Sequence, residues 1–279
     1  MFYHSFCKIS LILIIVLSAN HAFSLSWQDF STVSNHKPDA VGTYNNGCLL
    51  GGAVLPETGE GFQVIRTSRN RFYGHPNLIN FIQSLAIATK AQGLDDLLIA
   101  DMSMPRGGNF KLGHASHQTG LDVDIWLRSF EKKLSIKQRE TVEKLDVVNK
   151  KQFKVKTAIW DPNHITLIKE AAKSEQVSRI FVSPVIKQKL CDMAFIDDGW
   201  LNKVRPWWGH SYHIHVRLRC PKESNDCKNQ KQVADTNGCK ELNWWRNQFT
   251  KPAKQSIKKP VKKKIKIKPE QCQALLSNK

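Results

Sequence analysis

Apolar and polar positions change period several times along the 279 residues, and each change marks a predicted element. Between Pro76 and Gly93, the residues Leu78, Ile79, Ile82, Leu85 and Ala86 recur at three- and four-residue steps. This is one face of a helix with proline at its first position and glycine after its end. Residues 97–102, Leu-Leu-Ile-Ala-Asp-Met, read as a strand, and Leu121 to Leu127 alternates apolar with acidic residues, as a strand with one core face and one polar face does. Ser135 to Val148 and Asp161 to Gln176 are predicted helices, the second opened by Asp161 as cap and Pro162 as first residue. Val177 to Ser183 and Tyr212 to Leu218 are further predicted strands. Residues 25–60 are rich in Gly, Asn and Ser, show no period, and read as irregular structure tied down by Cys48. Helices and short strands that follow one another without a strand-helix-strand rhythm predict an α+β fold. The expected architecture is a single domain with a central, mostly antiparallel sheet, flanked by helices and disulfide-fastened irregular segments.

The two ends break this pattern. Lys8 precedes an apolar run from Ile9 to Val16, and small residues follow at Ala19, Ala22 and Ser24. This is the layout of a secretory signal peptide over residues 1–24, cleaved after Ala22 or Ser24. The competing reading, a membrane helix, needs about 20 apolar residues, more than this run supplies. No stable membrane insertion is therefore expected once the signal is removed. About 255 residues remain, enough for one sizeable core without a second domain. Residues 251–279 hold ten lysines and one glutamate, about half of the net charge of +18. Lys251 to Pro269 has almost nothing to bury and reads as an extended or mobile linker that ends at Cys272. The expected division is thus signal peptide 1–24, main domain 25–250 and basic tail 251–279. A basic exported chain is drawn to anionic wall polymer or lipid, and export makes nucleic acid the least fitting partner. The lysines read equally well as a solvated spacer.

Export also changes how the cysteines are read. Cys48, Cys191, Cys220, Cys227, Cys239 and Cys272 remain, an even number in an oxidising compartment, which predicts three disulfides. Six cysteines allow fifteen pairings, and only the short interval from Cys220 to Cys227, which contains Pro221 and Asn225, suggests a local clip. Free buried thiols are the alternative. A cysteine metal site is disfavoured because no C-x-x-C pair occurs.

Most of the remaining histidines fall in two clusters, Gly113-His114-Ala115-Ser116-His117-Gln118-Thr119-Gly120-Leu121-Asp122-Val123-Asp124 and Trp207-Trp208-Gly209-His210-Ser211-Tyr212-His213-Ile214-His215. In strands, Asp122 and Asp124 share one face, and so do His213 and His215, with Val123, Ile125, Ile214 and Val216 on the opposite faces. The two pairs can converge if their strands are neighbours. Two imidazoles and a carboxylate suit zinc, and three protein ligands with an open fourth position belong to a catalytic rather than a structural site. A zinc-acidified water and a polarised carbonyl then imply a hydrolase.

These segments resemble the penicillin-insensitive murein endopeptidases, zinc enzymes of the wider group of lysostaphin-type and D-Ala-D-Ala metallopeptidases. The group's H-x(6)-D and H-x-H segments are matched by His117 with Asp124 and by His213 with His215. The similarity extends to Tyr44–Cys48, Arg71–Pro76, Arg179–Val182, Val204–Trp207 and Cys272–Leu276. The resemblance implies that His117, Asp124 and His215 bind Zn2+, with His114 as a further metal-site residue. It implies that His213 is a general base or a partner of the attacking water, and that His210 orients substrate or stabilises an oxyanion. A second metal is disfavoured because Lys151 and Lys154 stand where relatives have further ligands. Asp122 is expected to support the site rather than bind metal. The implied disulfides are Cys48–Cys272, Cys191–Cys239 and Cys220–Cys227. The implied activity is hydrolysis of the D-alanyl–meso-diaminopimelyl bond of peptidoglycan in the periplasm. The alternatives are a stem-peptide carboxypeptidase with the same metal, or a wall-binding protein that keeps the metal as structure.

Overall fold

A computed structural model describes residues 25–250 and 266–277. The expected signal peptide and the stretch 251–265 of the basic tail lie outside the described residues. The fold is α+β, with six α-helices and a seven-stranded mixed sheet among the described residues.

In chain order, β1 (Asp39–Thr43) and β2 (Asn46–Leu50) form a hairpin, and β3 (Ala53–Val54), β4 (Thr58–Gly59), β5 (Phe62–Val64) and β6 (Tyr73–Gly74) follow. Helix α1 (Pro76–Ala91) leads to β7 (Asp96–Ile99), and β8 (Asp122–Phe130) follows after a long loop. Next come α2 (Ile136–Thr141), β9 (Val148–Asn149), β10 (Lys154–Val155), α3 (Pro162–Lys173), β11 (Val177–Val182) and α4 (Pro184–Cys191). The chain continues with β12 (Val204–Pro206), β13 (His213–Leu218), α5 (Leu242–Thr250) and α6 (Glu270–Ser277). The large sheet runs β12-β11-β13-β8-β7-β5-β4. Only its β11–β12 and β5–β7 pairs are parallel, so it is mixed and mostly antiparallel.

The helix ends follow the local chemistry. Pro76 and Pro162 sit in the first turns of α1 and α3, the His75 ring accepts the Asn77 N–H, and Asp161 accepts the Asn163 N–H at 2.7 Å. Val123, Ile125 and Leu127 from β8 join Ile214, Val216 and Leu218 from β13 in the core, with Leu78, Ile82 and Leu85 from α1 and Leu167, Ile168 and Ala171 from α3. Burying each large aliphatic side chain contributes about 1.5–3 kcal/mol. A one-residue slip of β13 would turn its histidines into this apolar layer, so the core itself fixes the register.

Three expectations are corrected. Residues 25–60 are not irregular throughout, because β1 and β2 pair over five residues each and bury Ala40, Val41, Cys48 and Leu49. Their glycine content reflects close packing: a Cβ on Gly47 would lie 2.2 Å from the Val41 carbonyl oxygen and 2.6 Å from the Thr119 side chain. The helix expected from Ser135 to Val148 stops at Thr141. Val142 packs beside Ile65 and Trp126, and the Val147 N–H donates to the Ser211 carbonyl at 2.9 Å, so tertiary contacts draw this stretch out of the helix. The strand expected over 97–102 ends at Ile99, and Asp101 lies just beyond it.

All three disulfides form as the resemblance implies, Cys48–Cys272, Cys191–Cys239 and Cys220–Cys227. The first ties α6 to β2 across 224 residues of sequence. Among the described residues, no helix is long and apolar enough to cross a membrane.

Candidate metal centre and cleft

The polar face of the β8–β13 ladder is the foundation of the site. These strands are antiparallel neighbours, with Asp124 opposite His215 and Asp122 opposite Arg217. Oδ1 of Asp124 lies 3.2 Å from His215 Nδ1, and its Oδ2 lies 3.6 Å from His213 Nε2. The loop between β7 and β8 then returns over this face. It brings His117 Nε2 to 3.5 Å from Asp124 Oδ1 and His114 Nε2 to 3.3 Å from Asp124 Oδ2. Gly120 lets the loop pass: its φ is +69°, and a Cβ there would lie 2.9 Å from the His75 backbone nitrogen. His117 is itself left-handed at φ 69°, a conformation held by its N–H donating to Asp122 Oδ2 at 3.1 Å and by its ring stacking on Phe110.

Ligand atoms of His114, His117, Asp124 and His215 all lie within 4.8 Å of one another. His117, Asp124 and His215 are buried and His114 is partly exposed at the rim. Both ring nitrogens of His117 and Oδ1 of Asp124 are buried without a well-formed hydrogen bond. Buried groups of this kind are costly unless something compensates them, and a divalent cation between them would take Asp124 Oδ1 and one ring nitrogen of His117 together. These residues therefore fit a metal. Burial, opposed by Asp124, lowers His117 to a pKa of about 3 and keeps its imidazole neutral, the form that ligates. Burial alone would raise Asp124, but His213, His117, His215 and His114 outweigh it and hold the carboxyl well below the usual range.

Asp122 stands behind the cluster. Its Oδ1 accepts from His215 Nε2 at 2.8 Å and from Arg217 Nε at 2.7 Å. A carboxylate only accepts, so Nε2 carries a proton, and Nδ1, which is turned to Asp124, is the nitrogen left to ligate a metal. This is the carboxylate support that a ligating histidine usually has. Arg217 is held in turn by Gln230 Oε1 at 2.8 Å and by the faces of Tyr44 and Phe181. The sequence reading assigned Arg217 no role, although the period of two that pairs His213 with His215 also places it on that face. Asp101 was missed as well. It lies 3.6 Å from His114 Nε2, and backbone hydrogen bonds between Ala100 and Asp124 and between Asp124 and Asp101 place it there.

His213 and His210 lie beside the cluster, with ring centroids 4.8 Å apart. Both nitrogens of His213 are buried without a hydrogen-bond partner, and burial lowers its pKa. His210 Nδ1 lies 2.7 Å from the Trp208 carbonyl and must donate to it, which leaves Nε2 as an acceptor. Burial lowers His210 to a pKa of about 3. A cleft of about 630 Å3 opens over His114, His210 and His215, walled by Tyr44, Phe181, Trp207 and Trp208. Trp207 and Trp208 are about half exposed and wall this cleft rather than fill the core.

Fold and site together define a class: an α+β protein with a buried histidine-aspartate cluster suited to a metal at the floor of an open cleft. The sequence profile described as penicillin-insensitive murein endopeptidase matches residues 40–277. A penicillin-insensitive murein endopeptidase of Haemophilus influenzae is 44% identical over 277 residues, 97% of this chain and 95% of the relative. Proteins of that name from Klebsiella pneumoniae and Escherichia coli are each 42% identical, over 266 and 269 residues, covering 95% or more of both chains. The chain belongs to the penicillin-insensitive murein endopeptidase family.

Proposed function

We propose that the protein is a zinc-dependent murein endopeptidase that hydrolyses the D-alanyl–meso-diaminopimelyl amide of peptidoglycan cross-bridges in the periplasm. The observation that carries this reading is the convergence of His114, His117, Asp124 and His215 at the floor of a cleft, in a chain of this family. His117, Asp124 and His215 are the zinc ligands, and His114 is the further donor at the rim. Zinc held there supplies Lewis acidity toward the scissile carbonyl and brings the pKa of a water to about 7. His213 takes the proton of the attacking water at a ring nitrogen and passes it to the leaving amine. His210, neutral and with Nδ1–H committed to Trp208, orients substrate by accepting an N–H at Nε2. Stabilising an oxyanion instead would require His210 to be protonated, which its burial opposes.

The three disulfides suit an oxidising compartment, in keeping with residues 1–24 as a removed signal peptide. Residues 25–250 then form the catalytic domain, and residues 251–279 a basic tail anchored at Cys272. The test is release of muropeptide monomers from purified cross-linked dimer, with and without chelator, followed by zinc add-back. Cleavage that is lost on chelation and recovered with zinc is expected. Folded protein that cleaves no dimer under any metal condition overturns the reading.

A further inference from the structure

The larger cleft meets a second hollow at Gly113 and His114 and shares no other wall with it. This hollow, of about 390 Å3, is lined by Arg66, Arg69, Arg71 and Lys144 against two carboxylates, Asp101 and Asp124. Four cations less two anions leave two positive charges in excess. Asp124 is already turned to the imidazoles. Asp101 is held by Arg71 at 2.8 Å, and Arg71 is fixed further by the Leu112 carbonyl and the Phe110 ring.

Arg69 is the loose member. Its guanidinium reaches Asp101 only at 3.4 Å, and its side chain is 41% exposed. It ends a 3-10 turn, Thr67–Arg69, flanked by Arg66 and Asn70, both left-handed at φ 58° and 54°. Glu140 pins this turn by accepting from the Thr67 hydroxyl at 3.0 Å and from the Ser68 N–H at 2.9 Å and hydroxyl at 2.7 Å. Arg66 is committed to the Val142 carbonyl and lies over the Trp126 ring. Lys144 is exposed and lies over the Tyr212 ring, without a carboxylate partner among the described residues. A local backbone that is unusual for non-glycine residues therefore crowds like charges along one wall and leaves one guanidinium free to turn.

We infer that this hollow is a carboxylate subsite, in which Arg69, with Arg66 and Lys144 beside it, takes the free α-carboxylate of the residue that supplies the scissile amine. The inference rests on the endopeptidase reading above. In a D-alanyl–diaminopimelyl link, the carbon bonded to the scissile nitrogen itself bears a carboxylate, so this anion lies within one residue of the carbonyl under attack. The hollow shares His114 and Asp124 with the cluster and so adjoins the place where that carbonyl would lie. The acyl side offers a methyl group at the corresponding position, which suits the aromatic walls of the larger cleft. A guanidinium matches a carboxylate with two parallel hydrogen bonds, and Arg69 can supply both without breaking the Arg71–Asp101 pair.

The experiment compares zinc-loaded protein on two cross-linked dimers, one with this carboxylate free and one with it converted to a carboxamide. The wild type is expected to favour the free acid by about 10–100-fold in kcat/KM, and Arg69→Ala to reduce that ratio to about twofold or less. Arg69→Lys should restore part of it, and Lys144→Ala, at an exposed position, should lower it even if an Arg69 variant folds poorly. Calorimetry of the tetrapeptide monomer, free or amidated at the same carboxylate, reads the same preference without turnover. Equal cleavage of the two dimers by wild type, or a ratio unchanged in the variants, overturns the inference while leaving the endopeptidase reading intact. A preference that follows amidation of the C-terminal alanine instead overturns it too. If neither dimer is cleaved, the endopeptidase reading fails, and the monomer calorimetry still decides the subsite: equal binding of both forms rejects it, and preference for the free acid supports it.

Discussion

Nε2 of His215 lies 2.8 Å from Oδ1 of Asp122 on the neighbouring strand, and the same oxygen accepts from Arg217 at 2.7 Å. One carboxylate thus orients an imidazole of the candidate metal cluster and neutralises a buried guanidinium.

Two effects of Asp122→Asn follow and can be separated. Zinc affinity should fall about 10–100-fold, read by competition with a chromophoric chelator. Stability should fall by about 3–5 kcal/mol in denaturant titration, because Arg217 keeps a buried charge without its partner. Adding Arg217→Met should recover stability but not zinc affinity. If the double variant binds zinc as tightly as wild type, Asp122 does not support the metal.

Zinc should stabilise the protein apart from any turnover. At a free concentration of about 100 times Kd, linkage adds about 2.7 kcal/mol. For a domain of this size, the melting temperature should rise by roughly 5–10 °C. The His117→Ala and His215→Ala variants should show little of this rise, and a full rise in either would remove that residue from the ligand set.

His213→Ala should lower kcat by about 10²–10⁴-fold with zinc still bound at one equivalent. His210→Ala should act mainly on KM, by roughly 2–10-fold, the worth of one hydrogen bond to substrate. Metal analysis and steady-state kinetics on the same preparations check both. An unchanged kcat in His213→Ala would dismiss its assignment as the base.

The disulfides should differ in worth. By chain entropy, the Cys48–Cys272 link, 224 residues apart, constrains the unfolded chain by about 5 kcal/mol, against about 2 kcal/mol for Cys220–Cys227, 7 residues apart. Paired Cys→Ser variants compared in urea should preserve this order, and the reverse order would show that local packing outweighs loop closure.

Lys187 is fully buried, with its ammonium donating to the Leu201 and Asn237 carbonyls, and burial lowers its pKa to about 7. Between pH 7 and about 10.5 the unfolded chain binds the proton and the folded chain does not, so this group makes stability rise with pH across that window. The stability of wild type minus that of Lys187→Met should therefore increase from pH 7 to pH 10, by up to about 4 kcal/mol. A flat difference across the window would mean that the two carbonyls keep the ammonium charged.

The starts of α1 and α3 were legible because Pro76, Asp161 and Pro162 act on their own turns, whereas α3 ends at Lys173, three residues before the expected Gln176. The end of α2 was not, because Val142 and Val147 answer to partners far along the chain, Ile65 and Ser211 among them. Strands β1 and β2 were hidden for a related reason. Gly47 is there to let backbone and Thr119 approach, and a glycine chosen for packing looks the same as one chosen for a loop.

The sequence by itself determined which residues share a face: the period of two puts Asp122 with Asp124 and His213 with His215 and Arg217, each set opposite a row of core aliphatics. It also marked the histidine-rich loop before β8. Only the tertiary structure decided that β8 and β13 are adjacent with Asp124 facing His215, that the loop folds back to set His114 and His117 above them, and that Asp101 joins three arginines beside the cluster. Pairing of strands some 90 residues apart is settled by the burial of both apolar faces in one core, a sum over the whole molecule that no local stretch of sequence contains.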